Sequence, residues 1–108
     1  MLAPNDFRNM LPRFSGEAAA SNQAMFDGLG RFAAKGMTNA QVALSWSLCK
    51  HPHVVPIPGT RRITYLVQNA AASGFALSAL ELAEPDALFP PEAVVGGRYP
   101  EAGMVGME

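Results

Sequence analysis

The chain has 108 residues, of which 49% are hydrophobic and 16% are charged, and its formal net charge is -1 at pH 7. This length allows one ordinary domain at most, and the small net charge excludes a general attraction to nucleic acid or to an anionic membrane. Since no apolar run approaches the ~20 residues that span a bilayer, and a single cysteine cannot form an intrachain disulfide, we expect a cytoplasmic protein with no membrane partner.

The first part of the chain predicts an irregular segment followed by a helix. Prolines and polar residues interrupt residues 1–15, so we expect that segment to be irregular and frayed. A helix is predicted from residue 19 or 21 to about Lys35, because apolar residues recur there at helical spacing, and Gly36 follows where a glycine commonly ends a helix. The apolar stripe is typical of core packing and consists of Met25, Leu29, Phe32 and Ala33.

A second helix is predicted over about residues 39–49, and two histidines follow it. Thr38 and Gln41 have the spacing of a capping box, in which each side chain bonds the other residue's backbone N–H. His51 and His53 would share one face of a strand, but two ligands are fewer than the three or four that a zinc site needs. We therefore predict no metal site.

Residues 54–69 predict a strand, a tight loop and a helix in that order. The β-branched run at 54–57 favours a short strand, which we expect to find no parallel neighbour within the chain and so to pair with another copy or stay exposed. The Pro-Gly pair that ends at Gly59 is a strong chain breaker. Thr60 stands where it could cap the helix that opens at Ile63.

This junction favours anions. The first turn of a helix has N–H groups without intrahelical partners and carries about half a positive charge. Arg61 and Arg62 add two permanent cations whose planar guanidinium groups suit phosphate. The residues predict a phosphate-binding corner, and the alternative is a solvated basic turn.

The last part of the chain predicts one helix end and one short helix. The helix that opens at Ile63 is expected to end near residues 73–74. Ser78 and Glu81 repeat the capping-box pattern before a short helix that we expect to break at Pro85.

Four stretches of the chain resemble the aldo-keto reductases, in the order in which that family has them. Residues 56–63 (PIPGTRRI) are similar to the family's eighth strand and the loop after it. Residues 6–14 (DFR, then LPRF) resemble the stretch after the seventh strand, which overhangs the cofactor mouth in the family and is the alternative to a frayed terminus. Residues 38–46 (TNAQVALSW) resemble the helix before the eighth strand. Residues 97–100 (GRYP) resemble part of the C-terminal loop.

The resemblance implies an α/β fold: a C-terminal fragment of a TIM (β/α)₈ barrel that is mostly helical, with one short strand. A complete barrel needs about 250 residues. We therefore expect residues 1–108 to be a partial aldo-keto reductase domain, made of the last barrel units and the C-terminal tail. The family's catalytic Asp, Tyr, Lys and His lie on earlier strands, so we expect no catalytic residue in this chain and no activity from it alone.

The resemblance also implies that the loop after strand eight holds the adenosine end of NADP. Gly59 and Thr60 fall where the family often has a Lys-Ser pair on the 2′-phosphate, so Gly59 supplies only backbone and Thr60 keeps its hydroxyl. Arg61 and Arg62 occur in the Gly-Thr-Arg-Arg branch of the family and would replace the charge of the missing lysine.

Three further residues match the adenine side of that cofactor site. Tyr65 stands where many members have an arginine that stacks on adenine, and a tyrosine can stack but brings no charge. Gln68 and Asn69 match the Glu-Asn pair that reaches the adenine amino group.

Two functions of different classes remain open. The first is a partial NADP-dependent oxidoreductase, whose partners are NADP(H) and either the missing N-terminal part of the barrel or another copy of the chain. The alternative is a non-enzymatic helical module for protein interaction or nucleotide-phosphate binding. A DNA-binding helix-turn-helix is excluded by the net charge and by the strand expected between the candidate helices.

Overall fold

The computed structural model describes residues 2–106, and helices account for most of them. Four of the elements are α-helices: α1 (Gly16–Asp27), α2 (Asn39–Lys50), α3 (Ile63–Ala71) and α4 (Ala79–Leu88). Shorter 3₁₀ segments lie between and around them, at Phe7–Met10, Pro12–Phe14, Gly28–Lys35, Ala72–Gly74, Pro91–Ala93 and Glu101–Met104.

The expectation of an irregular, frayed N-terminal segment is wrong, because residues 7–14 form two 3₁₀ turns that are tied to the rest of the chain. The Asn22 side chain of α1 donates to the carbonyl oxygens of Arg13 and Val95, at 3.3 and 2.8 Å. It also accepts the Val95 N–H at 2.9 Å, and the Arg13 Nε donates to the Gly96 carbonyl at 3.0 Å. These bonds join the N-terminal segment, α1 and the C-terminal tail.

The first predicted helix divides into two parts. Its α-helical part begins earlier than expected, at Gly16, and ends at Asp27, after which Gly28–Lys35 is a 3₁₀ helix. At Gly28 an added Cβ would lie 2.8 Å from the Leu88 side chain, so the glycine permits a close approach of α4. Gly36 ends the segment in the left-handed conformation, with φ of 75°, as the sequence predicted.

Both predicted capping boxes are present. The Thr38 Oγ1 accepts the Gln41 N–H at 3.2 Å, and the Gln41 Oε1 accepts the Thr38 N–H at 3.0 Å. Ser78 and Glu81 exchange the equivalent bonds at the start of α4, at 3.3 and 2.8 Å. Each box satisfies backbone N–H groups that the first turn of a helix would otherwise leave unpaired.

The expected break at Pro85 does not occur, since α4 continues to Leu88. Proline removes one intrahelical N–H, but its apolar ring here is buried. The Phe89 N–H donates to the Pro85 carbonyl at 2.9 Å and closes the last turn. We attribute the continued helix to burial of the ring together with this bond.

The strand predicted at residues 54–57 is not seen in the described part of the chain. Residues 51–62 are not helical, and no neighbouring strand lies beside them within residues 2–106. A strand exists only as a partner in a ladder of backbone hydrogen bonds, so a β-branched run without a neighbour is not one. Val55 and Ile57 are accordingly 80% and 93% exposed.

The buried core is small and lies between the Gly28–Lys35 segment, α2 and α4. It contains Leu29, Phe32, Met37 and Val42, and four half-buried side chains pack against it: Phe75, Leu77, Leu88 and Phe89.

The chain exposes 7938 Å² of surface, whereas a compact monomer of its mass exposes about 5,800 Å². Much apolar surface therefore stays uncovered, including Ile63, Leu66 and Val67 of α3.

Three ion pairs join α4 to the preceding helices. Glu84 lies 3.5 Å from Arg31, and Glu81 pairs with Lys35. Asp86 pairs with Lys50 and also accepts the Trp46 indole N–H at 3.1 Å. The Lys50 hydrogen bond lowers the pKa of the Asp86 carboxyl below its ordinary value.

Within residues 2–106, none of the helices combines the length and apolar character needed to cross a lipid bilayer.

Two buried polar side chains of α2 hold the C-terminal end of α3. The Gln41 Nε2 donates to the Gln68 carbonyl at 2.9 Å, and the Ser45 Oγ donates to the Ala72 carbonyl at 2.7 Å. Ser45 and Ala72 are both almost fully buried. The Ala72 carbonyl also accepts the Phe75 N–H at 3.3 Å, so the serine hydroxyl supplies the shorter of two bonds to a buried acceptor.

We predict that Ser45→Ala destabilises the chain by about 0.5–1.5 kcal/mol, the net contribution of one buried hydrogen bond, because the Ala72 carbonyl keeps only the longer bond from the Phe75 N–H. Ser47→Ala is the matched control, since its hydroxyl bonds the Ala43 carbonyl at 3.0 Å in an exposed position on the same helix. Urea denaturation followed by far-ultraviolet circular dichroism measures both. Equal midpoints for the two variants would contradict the predicted role of Ser45.

Candidate functional site

The loop between α2 and α3 is fixed by one hydroxyl. The Thr60 Oγ1 accepts the Arg62 N–H at 3.2 Å and lies 3.3 Å from the Arg62 carbonyl oxygen, to which it donates. The sequence predicted that Thr60 caps α3, and this is wrong, because the N-cap residue is Arg62. Thr60 instead closes a short turn just before the helix, which leaves the N–H groups of the helix itself available.

The N-terminus of α3 is open and electropositive. Arg62 makes no side-chain capping bond, and no acidic residue lies in the first turn. The first intrahelical bond is from the Leu66 N–H to the Arg62 carbonyl at 3.0 Å. The preceding N–H groups of the helix therefore have no intrahelical acceptor, and they add to the positive end of the helix dipole.

A cavity of about 600 Å³ lies against this end of the helix, and we call it the basic cavity. It is lined by Arg8, Gly59, Thr60, Arg61, Arg62 and Tyr65. Three of these six residues carry a guanidinium group. The chain as a whole has a formal net charge of -1, so the cavity concentrates positive charge that the molecule lacks overall.

A second cavity of about 740 Å³ adjoins the basic cavity, and we call it the adjoining cavity. Gly59, Thr60 and Tyr65 line both cavities and so form their shared wall. The guanidinium of Arg62 lies 5.7 Å from the centre of the Tyr65 ring, in the range of a cation–π contact. This contact links the charged side of the wall to its aromatic side.

The far walls of the adjoining cavity come from three helices. Phe26 of α1 and Ala40 and Leu44 of α2 supply apolar surface, while Gln68 and Asn69 of α3 supply carboxamide groups. The Gln41–Gln68 bond fixes α3 against α2 at this point. The arrangement is a mainly apolar cleft with two groups that can both donate and accept hydrogen bonds.

The structure brings the sequence-predicted residues together around these two cavities. Five of them line the basic cavity, and Gln68 and Asn69 line the adjoining one. Gly59 leaves open space where a Cβ would stand, so its contribution is backbone alone.

Arg8 also lines the basic cavity, although it was not among the predicted site residues. It lies about fifty positions before the loop, in a segment expected to fray. A signal was present at Asp6, because an Asp side chain commonly accepts the backbone N–H two residues on and so forms a turn, here with the N–H of Arg8.

Asp6 holds the Arg8 guanidinium through a forked ion pair. The Arg8 Nε donates to the two carboxylate oxygens at 3.0 and 3.2 Å, and Nη2 donates to Oδ2 at 2.6 Å. Asp6 also accepts the backbone N–H of Arg8 at 2.9 Å. The hydrogen bonds from the Arg8 side chain and backbone lower the pKa of the Asp6 carboxyl to about 2.

The histidines lie away from both cavities. His51 and His53 are exposed, and the His51 ring meets the Trp46 ring edge-on at 6.2 Å between centroids. Within the described residues 2–106, no three His, Cys, Asp or Glu side chains come together as a metal-ion site would require.

Comparison with known proteins gives the same assignment as the four sequence stretches. The model of the Aldo/keto reductase family matches residues 3–89, most of the chain, and the chain therefore belongs to the aldo/keto reductase family. It is 33% identical over 101 residues to aldo-keto reductase str7 of Strobilurus tenacellus. The alignment covers 93% of this chain and 30% of that relative, so the chain spans about a third of the relative's length. No solved structure matches the chain.

We predict that Asp6 titrates near pH 2 in the folded chain, instead of near its ordinary 3.8, and that Arg8→Gln returns the midpoint toward 3.8. Because the folded-state pKa is lowered, the pair stabilises the fold above pH ~4 and loses that contribution as the pH falls toward 2. Carbon-13 NMR of the carboxyl groups measures the midpoint. Arg31→Gln removes a charge elsewhere and should leave Asp6 unchanged; an Asp6 midpoint near 3.8 in the unmodified chain would contradict the observed geometry.

Proposed function

We propose that this chain supplies the adenosine-phosphate part of the NADP site of an aldo-keto reductase. The observation that carries the proposal is the pair of cavities that meet at Gly59, Thr60 and Tyr65. One is lined by cationic groups and the other by an aromatic ring and carboxamides. A phosphorylated nucleoside needs such a division, because its phosphate and its base require opposite surroundings.

The chemistry of the basic cavity fits a phosphate group. Arg61 and Arg62 can each offer two parallel N–H donors, which match the spacing of phosphate oxygens. The N–H groups at the open end of α3 add donors without a side chain. Each charge-assisted hydrogen bond is worth about 1.5–3 kcal/mol, so a few of them can offset the entropy lost by an immobilised ligand.

The adjoining cavity fits an adenine ring. Tyr65 provides an aromatic face beside the boundary of the two cavities, and Gln68 and Asn69 provide hydrogen-bonding groups for the edge of a base. Its volume of about 740 Å³ lies within the range of small-molecule sites. We propose that the base lies here and that the 2′-phosphate of the ribose lies in the basic cavity.

The proposal assigns no catalytic residue to this chain. A bound nicotinamide cofactor supplies the hydride in this family, and carbonyl reduction also needs a proton donor close to the substrate oxygen. Tyr65 belongs to the adenosine site, and Lys35 and Lys50, the chain's two lysines, are ion-paired with Glu81 and Asp86. We therefore propose that these 108 residues do not reduce carbonyl compounds alone.

The exposed apolar residues from Val54 to Val67 support the barrel part of the proposal. We propose that residues 1–108 are a partial domain and that other (β/α) units cover this surface, with residues 54–57 becoming a strand once a neighbour is present.

The same surface favours an alternative, in which a second copy or another protein covers it and the chain acts as a non-enzymatic binding module. A cytoplasmic location remains part of the proposal.

We predict that Arg61→Ala with Arg62→Ala weakens NADP⁺ binding by at least about 10-fold and NAD⁺ binding by less than about 3-fold. The difference follows because NADP⁺ alone places a phosphate in the basic cavity, and tenfold in affinity corresponds to about 1.4 kcal/mol. Isothermal titration calorimetry measures both affinities.

The control is Arg31→Ala with Arg98→Ala, which removes the same charge from positions outside both cavities. This control should weaken NADP⁺ and NAD⁺ binding only slightly, through the lower net charge of the chain, and should not change the preference between them. Equal losses for the two nucleotides in the Arg61/Arg62 variant would reject the placement of the 2′-phosphate. Binding of neither nucleotide by the unmodified chain would favour the non-enzymatic alternative.

A further inference from the structure

Arg8 reaches the basic cavity from a part of the chain that is remote in sequence. The other five residues that line the cavity lie between Gly59 and Tyr65, and Arg8 lies in the 3₁₀ turn Phe7–Met10. A local basic turn would need no such residue. The fold therefore closes one side of the cavity with a cation from the N-terminal segment.

The turn that carries Arg8 is well anchored. The Asp6 and Asn9 N–H groups donate to the carbonyls of Ala3 and Asp6, both at 3.0 Å, and the Leu11 N–H donates to the Arg8 carbonyl at 2.9 Å. The Asn9 side chain also donates to the Ala3 carbonyl at 2.8 Å. These bonds fix the backbone position from which the arginine projects.

The guanidinium is oriented as well as anchored. Asp6 occupies the edge that carries Nε and Nη2, and the Phe14 ring lies 5.8 Å from the guanidinium carbon. Within residues 2–106 no hydrogen bond uses Nη1, so the second edge of the fork remains available. The Asp6 side chain is 21% exposed and that of Arg8 is 48% exposed, so the pair presents its cation to solvent more than its anion.

The number of cations determines which phosphate the cavity suits. A phosphate monoester carries a charge of about -1.5 to -2 at pH 7, whereas each phosphate group of a pyrophosphate diester carries a charge of about -1. Three guanidiniums around one cavity match a monoester better than a diester, even with the Asp6 carboxylate beside one of them. The monoester of NADP is the 2′-phosphate on the adenosine ribose, the group that NAD lacks.

We propose that Arg8 is a third phosphate-binding residue of the basic cavity, that Asp6 positions it, and that it carries part of the preference for a 2′-phosphorylated nucleotide. This inference rests on the proposed function, since it names a further residue of the same site. It adds to that function a contact from the N-terminal segment and a residue pair that contributes to the choice between NADP and NAD.

The test is fluorescence titration of NADPH and NADH against the whole chain and its variants. Arg8→Gln should weaken NADPH binding by about 10-fold and NADH binding by less than about 2-fold, since a charge-assisted bond to the extra phosphate is lost. Arg8→Lys should recover part of the NADPH affinity, because the lysine keeps the positive charge but lacks the paired planar N–H donors of a guanidinium. Arg31→Gln, which removes the same charge outside the cavity, should leave the NADPH-to-NADH ratio unchanged.

Asp6→Asn tests the positioning role separately. It should weaken NADPH binding by about 3-fold and leave NADH binding unchanged, because the guanidinium stays charged but is no longer held. Tighter NADPH binding would show that Asp6 competes with the phosphate, and it would overturn the positioning part. Circular dichroism of each variant confirms that its helices are intact.

The outcomes separate this inference from the proposed function. If Arg8→Gln weakens both nucleotides equally, or neither, while the Arg61/Arg62 variant loses NADPH selectively, the role of Arg8 is overturned and the cofactor site stands. If the unmodified chain binds neither nucleotide, both proposals fail. The inference is supported if the ratio of NADPH affinity to NADH affinity falls with Arg8→Gln and recovers in part with Arg8→Lys.

Discussion

The position of α3 on α2 determines most of the site, and two buried side chains of α2 fix it. Gln41 and Ser45 lie one helical turn apart and donate to the carbonyls of Gln68 and Ala72. Both acceptors lie near the C-terminal end of α3 or just beyond it, so the helix is held at that end and its N-terminus extends toward the loop. The open N–H groups therefore stand beside the arginines, and the same helix presents Tyr65 to both cavities. A small number of satisfied polar groups specifies this arrangement where the apolar core is too small to do so alone.

Electrostatics explains why the basic cavity stands out in a molecule with almost no net charge. The Lys35 and Lys50 ammonium groups and the Arg31 guanidinium are paired with acids of α4, which lie away from the cavity. The guanidiniums of Arg61 and Arg62 have no acidic partner within 4 Å among the described residues 2–106, and no acid lies in the first turn of α3. Because Arg61 and Arg62 stand together without an acidic partner in the described part of the chain, while three other cations are neutralised by α4, the cavity has a local positive field that the net charge of the chain does not reveal.

The sequence predicted what depends on local rules and missed what depends on distant partners. The Thr38 and Ser78 capping boxes and the left-handed Gly36 were predicted correctly, because each is decided within a few residues. The strand at residues 54–57 was wrong, since a strand needs a neighbour, and the break at Pro85 was wrong, since burial kept the helix continuous. The residues of the loop and α3 line two adjoining cavities, and their assignment to a cofactor site stays a prediction. Arg8 could not be placed, because its contact with that site depends on how the N-terminal segment packs.

Phosphorus-31 NMR of NADP⁺ titrated with the chain is the sharpest test of whether the basic cavity binds the 2′-phosphate of NADP. The second pKa of a phosphate monoester is about 6, and surrounding guanidiniums favour its dianion. If the cavity binds this group, the chemical shift of the 2′-phosphate changes more than those of the pyrophosphate. The titration midpoint of the 2′-phosphate also falls below that of the free nucleotide. A 2′-phosphate that titrates as in free NADP⁺, while the pyrophosphate resonances shift, would contradict this prediction.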